Sequence, residues 1–259
     1  MARSEQVEQV ERFTTGVGTV VSRMRALDAA WPPGDGVAVF NRVYLTVTEE
    51  AGRAPDAGRF PDRRAATTLD VRFAERYLTA AEQGEPPACW RPLFRSRHHP
   101  GVLPVQFALA GVNAHVGHDL ALAVVAACRS LGCRPADLKD EFDAVGDILD
   151  ALEERVLDEL APSPELLHVA DPLTHLISAW NLERAREAAW AAARALWALR
   201  ELPEIAEEFT RRLDLTVGFA SRLLLTPLPR CPGAAPDTVR AESATIARGS
   251  RNCPAVTVG

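Results

Sequence analysis

Apolar residues recur along this chain at helical rather than alternating spacing, and Pro/Gly clusters cut the periodic stretches apart. Residues 4–30 read as a first helix, closed by Trp31-Pro-Pro-Gly-Asp-Gly, which cannot continue one. Residues 37–50 are rich in Val, Phe, Tyr and Thr and would suit a strand, yet Phe40, Val43, Tyr44 and Val47 make a helical stripe, which favours helix. The polar stretch 51–64 reads as a surface loop. Thr67 and Thr68 are placed to cap a helix over 69–83, in which Leu69, Phe73 and Tyr77 repeat every fourth residue, and Gly84-Glu-Pro-Pro ends it. A short helix over 90–94 and a basic loop, 95–101, lead into the long apolar segment 102–131. Residues 138–160 are amphipathic and acid-rich, with Phe142, Val145, Ile148, Leu149 and Leu152 on one stripe, and Ala161-Pro-Ser-Pro breaks them. One short turn fits 164–169, a long Ala/Arg/Trp helix fits 173–202, and Pro203 opens a last helix that should turn Phe209, Leu213 and Phe219 inward.

The pattern predicts an all-α, single-domain multi-helix bundle over 1–227, built around a buried central helix at 102–131, with an extended or disordered tail over 228–259. The central position follows from the segment's own wheel. Leu109, Val116, Leu120 and Val124 fall on one side, and Ala108, Val112, Leu122 and Ala126 on the other, so apolar residues face both ways. A helix apolar all round is surrounded by partners rather than laid against one.

Composition narrows the function classes. With 29 Lys+Arg against 35 Asp+Glu, a net charge of −6 and no basic stripe, a phosphate-tracking nucleic-acid binder is not expected. Lys139 is the single lysine, and the Arg/Ala-rich composition reads as high-GC codon bias. Five cysteines (89, 128, 133, 231 and 253) form no CxxC or Cys/His finger spacing, which suits a reducing compartment. Cys128 and Cys133, five apart, face differently on an ideal helix and are expected to be core thiols; Cys231 and Cys253 leave a disulfide open. The start of the chain has no apolar core of a signal peptide, and no uninterrupted apolar run reaches membrane-spanning length, so the expectation is a cytoplasmic protein without a membrane partner.

Polar residues inside the central helix are the candidate site. His115 and Asp119 are spaced i, i+4 and lie one turn apart on one face; Asn113 projects beside Gln106 and Leu120, and His118 looks over Ala114, Gly117 and Ala121. Burying such groups unmatched costs a few kcal/mol, so donors must come from elsewhere, and Asp70, Arg72, Arg184 and Arg186 are the expected partners. The residues admit an acid/base pair, a metal site (zinc or iron on His115, Asp119 and His118, helped by His98, His99, Asp143 or Asp147), or a bonded network that pins the core.

The run Asn113-Ala-His115-x-x-x-Asp119-Leu, with Phe40-Asn41-Arg-x-Tyr44-Leu and Leu69-Asp70-Val-Arg72-Phe73-Ala, resembles a bacterial helical family known only as a domain of unknown function (number fifty-nine ninety-five). The resemblance spans residues 10–225, implies an all-α domain, and singles out Asn113, His115, Asp119, Asp70 and Arg72. It implies Asn at position 117, where this chain has Gly117.

GxGxxG, Walker and nucleophile-elbow patterns are absent. The leading expectation is therefore a cofactor-free small-molecule enzyme performing hydrolysis, elimination, isomerisation or cyclisation, with a role in specialised metabolism suggested only by the high-GC composition. His115 and Asp119 would supply its acid/base chemistry; Asn113 would act beside them, and Asp70, Arg72, His118 and Arg184 would bind substrate. A metal-dependent hydrolase or oxygenase at the same residues and a non-catalytic helical scaffold are the alternatives. Arg184, Arg186 and Trp190 could hold an anionic or aromatic ligand, and the His98-His99 loop could gate a cleft.

Overall fold

The computed structural model describes residues 2–53, 62–82, 84–144, 146, 150, 160 and 181–227, with side chains described from residue 16 onward and not over 50–53. Every regular element among them is helical: α1 (Ala2–Ala30), α2 (Gly36–Arg53), α3 (Arg63–Glu82), α4 (Arg91–Ser96), α5 (Pro104–Ala114), α6 (Leu120–Leu131), α7 (Leu182–Ala198) and α8 (Pro203–Leu224). A π turn, His115–Asp119, joins α5 to α6 into one continuous rod, and a 3₁₀ turn, Pro135–Leu138, follows. Residues 139–144 begin the expected acidic helix; most of the remainder of 145–180, with Asp147, and the tail with Cys231 and Cys253 lie outside the described residues.

The apolar rod is the axis of the bundle. α5 packs on α2 and α8, α6 on α3 and α7, and α1 lies across α2 and α3. The rod's best window has a mean hydropathy of 1.3 and is 89% buried inside the protein, which is how a core helix satisfies a composition otherwise suited to a bilayer. The stripe Phe40, Val43, Tyr44 and Val47 makes α2 a helix with all four residues buried.

Helix ends explain where local reading and structure part. α3 begins earlier than expected because Asp62 caps it, its Oδ1 accepting from the amides of Arg64 (2.8 Å) and Ala65 (3.1 Å). Thr67 and Thr68 are therefore interior, and their hydroxyls donate back to the carbonyls of Arg63 and Arg64. Asp35 caps α2 through the amides of Val37 and Ala38 while its other oxygen accepts from Arg97 Nε at 2.6 Å. Gln106 Nε2 closes the end of α8 by donating to the carbonyls of Leu224 and Thr226, both at 2.8 Å. Phe219 is 61% exposed, contrary to expectation, because the buried stripe of α8 runs through Val217, Ser221 and Leu224.

Gly132, at φ 69°, ends α6 in the left-handed conformation. The chain then doubles back, and the Cys133 amide donates to the Cys128 carbonyl at 3.1 Å. The two cysteines are brought together, a proximity that an ideal helical wheel does not give.

Candidate functional site

The π turn sits where α3, α7 and α8 converge on the rod. Its defining bond runs from the Leu120 amide to the His115 carbonyl, one residue longer than an α turn. Adjacent side chains do not ordinarily face each other on a helix. Within this wider turn they do: His118 Nδ1 lies 2.8 Å from Asp119 Oδ1, while His115 Nδ1 lies 3.1 Å from Asp119 Oδ2. Trp90 Nε1 donates to the same Oδ2 at 2.9 Å. Asp119, 2% exposed, is thus a carboxylate with three donors. Burial opposes its charge, but the hydrogen bonds from His115 and His118 outweigh burial and hold it below the ordinary carboxylate range.

His115 is sealed, with no exposed surface. Its ring stacks on Phe73 at 3.6 Å and 5°, and Tyr44, Trp90, Phe40 and Tyr77 surround it at 4.8–6.2 Å. Burial pulls the imidazole below its ordinary value, with the bond to Asp119 pulling the other way, so the ring is neutral. The tautomer that serves Asp119 carries its proton on Nδ1, leaving Nε2 as an acceptor without a partner among the described residues. Beyond this cage, Tyr77 donates to Asn41 Oδ1 at 2.9 Å, and Asn41 donates to the Met24 carbonyl at 3.0 Å.

His118 faces the other way and keeps 5% of its side chain exposed. Its Nε2 is 3.9 Å from Asp214 Oδ1 on α8. Asp214 accepts from the amides of Ala88 (2.9 Å) and Cys89 (2.8 Å), tying α8 to the turn before α4, and 21% of its side chain is open. The Cys89 thiol is pushed well up by burial and by the charges of Asp119 and Asp214. On the α3 side stands Arg76, half-buried and without an ion pair or hydrogen bond among the described residues. Burial lowers its guanidinium from the usual value, and the charges of Asp119 and Cys89 partly offset this.

The expected residues are therefore only partly gathered. His115, His118 and Asp119 meet, but the arginines anticipated as their donors do not take part. Arg72 is exposed and pairs with Glu75 at 3.3 Å, Arg184 is exposed, and Arg186 reaches Asp150 at 3.5 Å. Trp90 supplies the donor instead. Asn113 donates to the Val217 carbonyl (3.1 Å) and Ser221 Oγ (3.0 Å), stitching α5 to α8 away from the two imidazoles. Asp70 is half-buried with no hydrogen bond among the described residues, and burial pushes its carboxyl up to about 7. His98 and His99 line a separate 540 Å³ cleft with Arg42 and Phe107. Trp190 packs on Phe142 at 4.7 Å, and Asp143 pairs with Lys139.

Trp90, Cys89, Asp214 and Arg76 are the site residues that the sequence reading missed. For Asp214 a signal existed: it continues the buried stripe Val217, Ser221 and Leu224 by one turn, an acid in register with core positions. Residues 17–227 match the family of unknown function DUF5995, and the chain belongs to that family. No curated protein and no solved structure gives a significant match.

Proposed function

We propose that this chain is a small-molecule enzyme whose reaction centre is the gap between His118, Cys89 and Asp214, worked by proton transfer at the Asp119–His118 pair. One observation carries the reading: His118 is fixed through Nδ1 on a buried carboxylate at 2.8 Å while its Nε2 faces a partly open acid and has no hydrogen-bond partner among the described residues. A carboxylate that holds an imidazole in one tautomer, with the second nitrogen aimed outward, is the arrangement general acid/base catalysis needs. The sequence expectation moves accordingly. His115 is too enclosed to touch a substrate, so it serves as the second donor that keeps Asp119 ionised and aligned. Asp119 orients, and His118 is the group at the reacting end.

Arg76 adds a substrate preference. A half-buried guanidinium whose donors are unclaimed among the described residues suits an anionic group held near the imidazole. The reaction class remains hydrolysis, elimination, isomerisation or cyclisation of a small anion.

The test is a turnover screen on small anionic esters, lactones and hydroxy acids. His118→Asn keeps a donor toward Asp119 and removes Nε2; it should lower the rate by about 10²-fold or more. Arg76→Ala should raise KM more than it lowers kcat. If no compound in the screen is turned over faster by the parent protein than by a folded His118→Asn variant, the reading is wrong.

A further inference from the structure

Three donors of different chemistry, from three separate elements, converge beside the π turn. Cys89 Sγ from the turn before α4, His118 Nε2 and an Asp214 carboxylate oxygen from α8 lie within 4.8 Å of one another. We infer that this gap binds a divalent cation of the zinc class, with Cys89, His118 and Asp214 as its ligands. The inference rests on the reading of this gap as the reaction centre; it keeps that location and replaces direct proton transfer at His118 Nε2 with metal-assisted activation of water.

Donor type selects the ion. A thiolate, an imidazole and a carboxylate suit zinc, cobalt or ferrous iron, whereas magnesium and calcium call for oxygen ligands alone. Zinc bonds of about 2.0–2.3 Å bring ligand atoms closer than the present spread of up to 4.8 Å, so binding draws the three side chains together.

The surroundings are built for ligands. A metal-bound histidine gives its other ring nitrogen to a carboxylate, and His118 does so to Asp119. A ligating carboxylate is itself held by hydrogen bonds, and Asp214 receives two backbone amides. Charge points the same way. The carboxylates of Asp119 and Asp214 both act on the buried Cys89 thiol, and carboxylates gathered around a ligand atom favour a bound cation. On binding, the Cys89 thiol gives its proton to solvent and its sulfur lone pair to the ion. The imidazole is then a ligand, the fourth position lies on the open side of Asp214, and the proton removed in the reaction comes from water held there.

Cobalt(II) titration of the chelator-stripped full chain tests this. One equivalent should bind with a near-ultraviolet thiolate-to-cobalt charge-transfer band, zinc should displace it, and protons should be released. Cys89→Ser should abolish the band, and Asp214→Asn should weaken binding by more than about tenfold. Circular dichroism checks both variants; if Cys89→Ser does not fold, Asp214→Asn, at the more open ligand, decides. Absence of the band, its persistence in Cys89→Ser, or unchanged affinity in Asp214→Asn overturns the site. His118-dependent turnover by metal-free protein would also overturn it while sparing the enzymatic reading. A stoichiometric cobalt site in a protein that turns over nothing keeps the metal and removes the enzyme.

Discussion

Asp119 is the residue around which the interior is organised, and three of its determinants differ in how far the sequence discloses them. The imidazoles lie four positions and one position before it in a single segment, so an HxxHD string in an apolar helix announces a buried polar cluster. Trp90, the third donor, stands 29 residues before Asp119, and no local spacing marks it as a partner. Charged residues were the natural guess for the missing donor, yet an indole N–H satisfies a carboxylate without bringing a second charge into the core. Asp70 makes a distinct prediction. Its carboxyl is pushed up to about 7 from an ordinary 3.8, so the folded state holds a proton that the unfolded chain releases. Its contribution to stability is therefore greatest below the unfolded value, and falls as pH rises through 4 toward 7. Asp70→Asn should stabilise the protein at pH 8 by on the order of a few kcal/mol and leave it little changed at pH 4, measured by urea unfolding at the two pH values. Equal effects at both would contradict the burial assigned to this carboxyl.

At the scale of elements, apolar stripes at helical spacing located α2 and α3, where every stripe residue is buried, and Pro/Gly stops helped delimit α1, the central rod and α8. Ends and faces were harder. Asp62 outcompetes Thr67 and Thr68 for the cap of α3 because residues 63–66 extend the helix upstream, with Ala65 and Ala66 buried. Cys128 and Cys133 meet because Gly132 leaves helical space, which no wheel can represent. Gly218 is decisive for the site. It lets α8 lie directly on the 88–90 turn, where an added Cβ would strike the Ala88 carbonyl oxygen and approach the Cys89 amide nitrogen at 3.2 Å. Since backbone cannot rotate aside, Gly218→Ala should cost about 1–3 kcal/mol and loosen the Asp214 bonds to Ala88 and Cys89. Thermal unfolding with amide exchange at Cys89 checks both effects. Gly117→Ala is the contrast: its Cβ meets only the Val217 methyls at 3.2–3.4 Å, and those can shift.

For the molecule as a whole, the architecture was legible because one segment is apolar on all sides, and only a central position in a helical bundle accommodates that. The departure from regularity inside that segment was not legible, since no residue in His115-Val-Gly-His-Asp forbids an ordinary α turn. The π turn has a consequence for how this site can be altered. It holds one residue more than the helix needs, so removing Val116 would leave a chain fully able to continue as plain helix. Because the wider turn absorbs its extra residue without advancing the helix beyond it, that shortened helix would deliver Val124 and Cys128 to the neighbours they have now. What the deletion removes is the facing of the adjacent side chains His118 and Asp119, so it should yield a well-packed helical protein that keeps its near-ultraviolet dichroism and loses cobalt binding. Length within the turn is thus a property of the polar centre and not of the bundle.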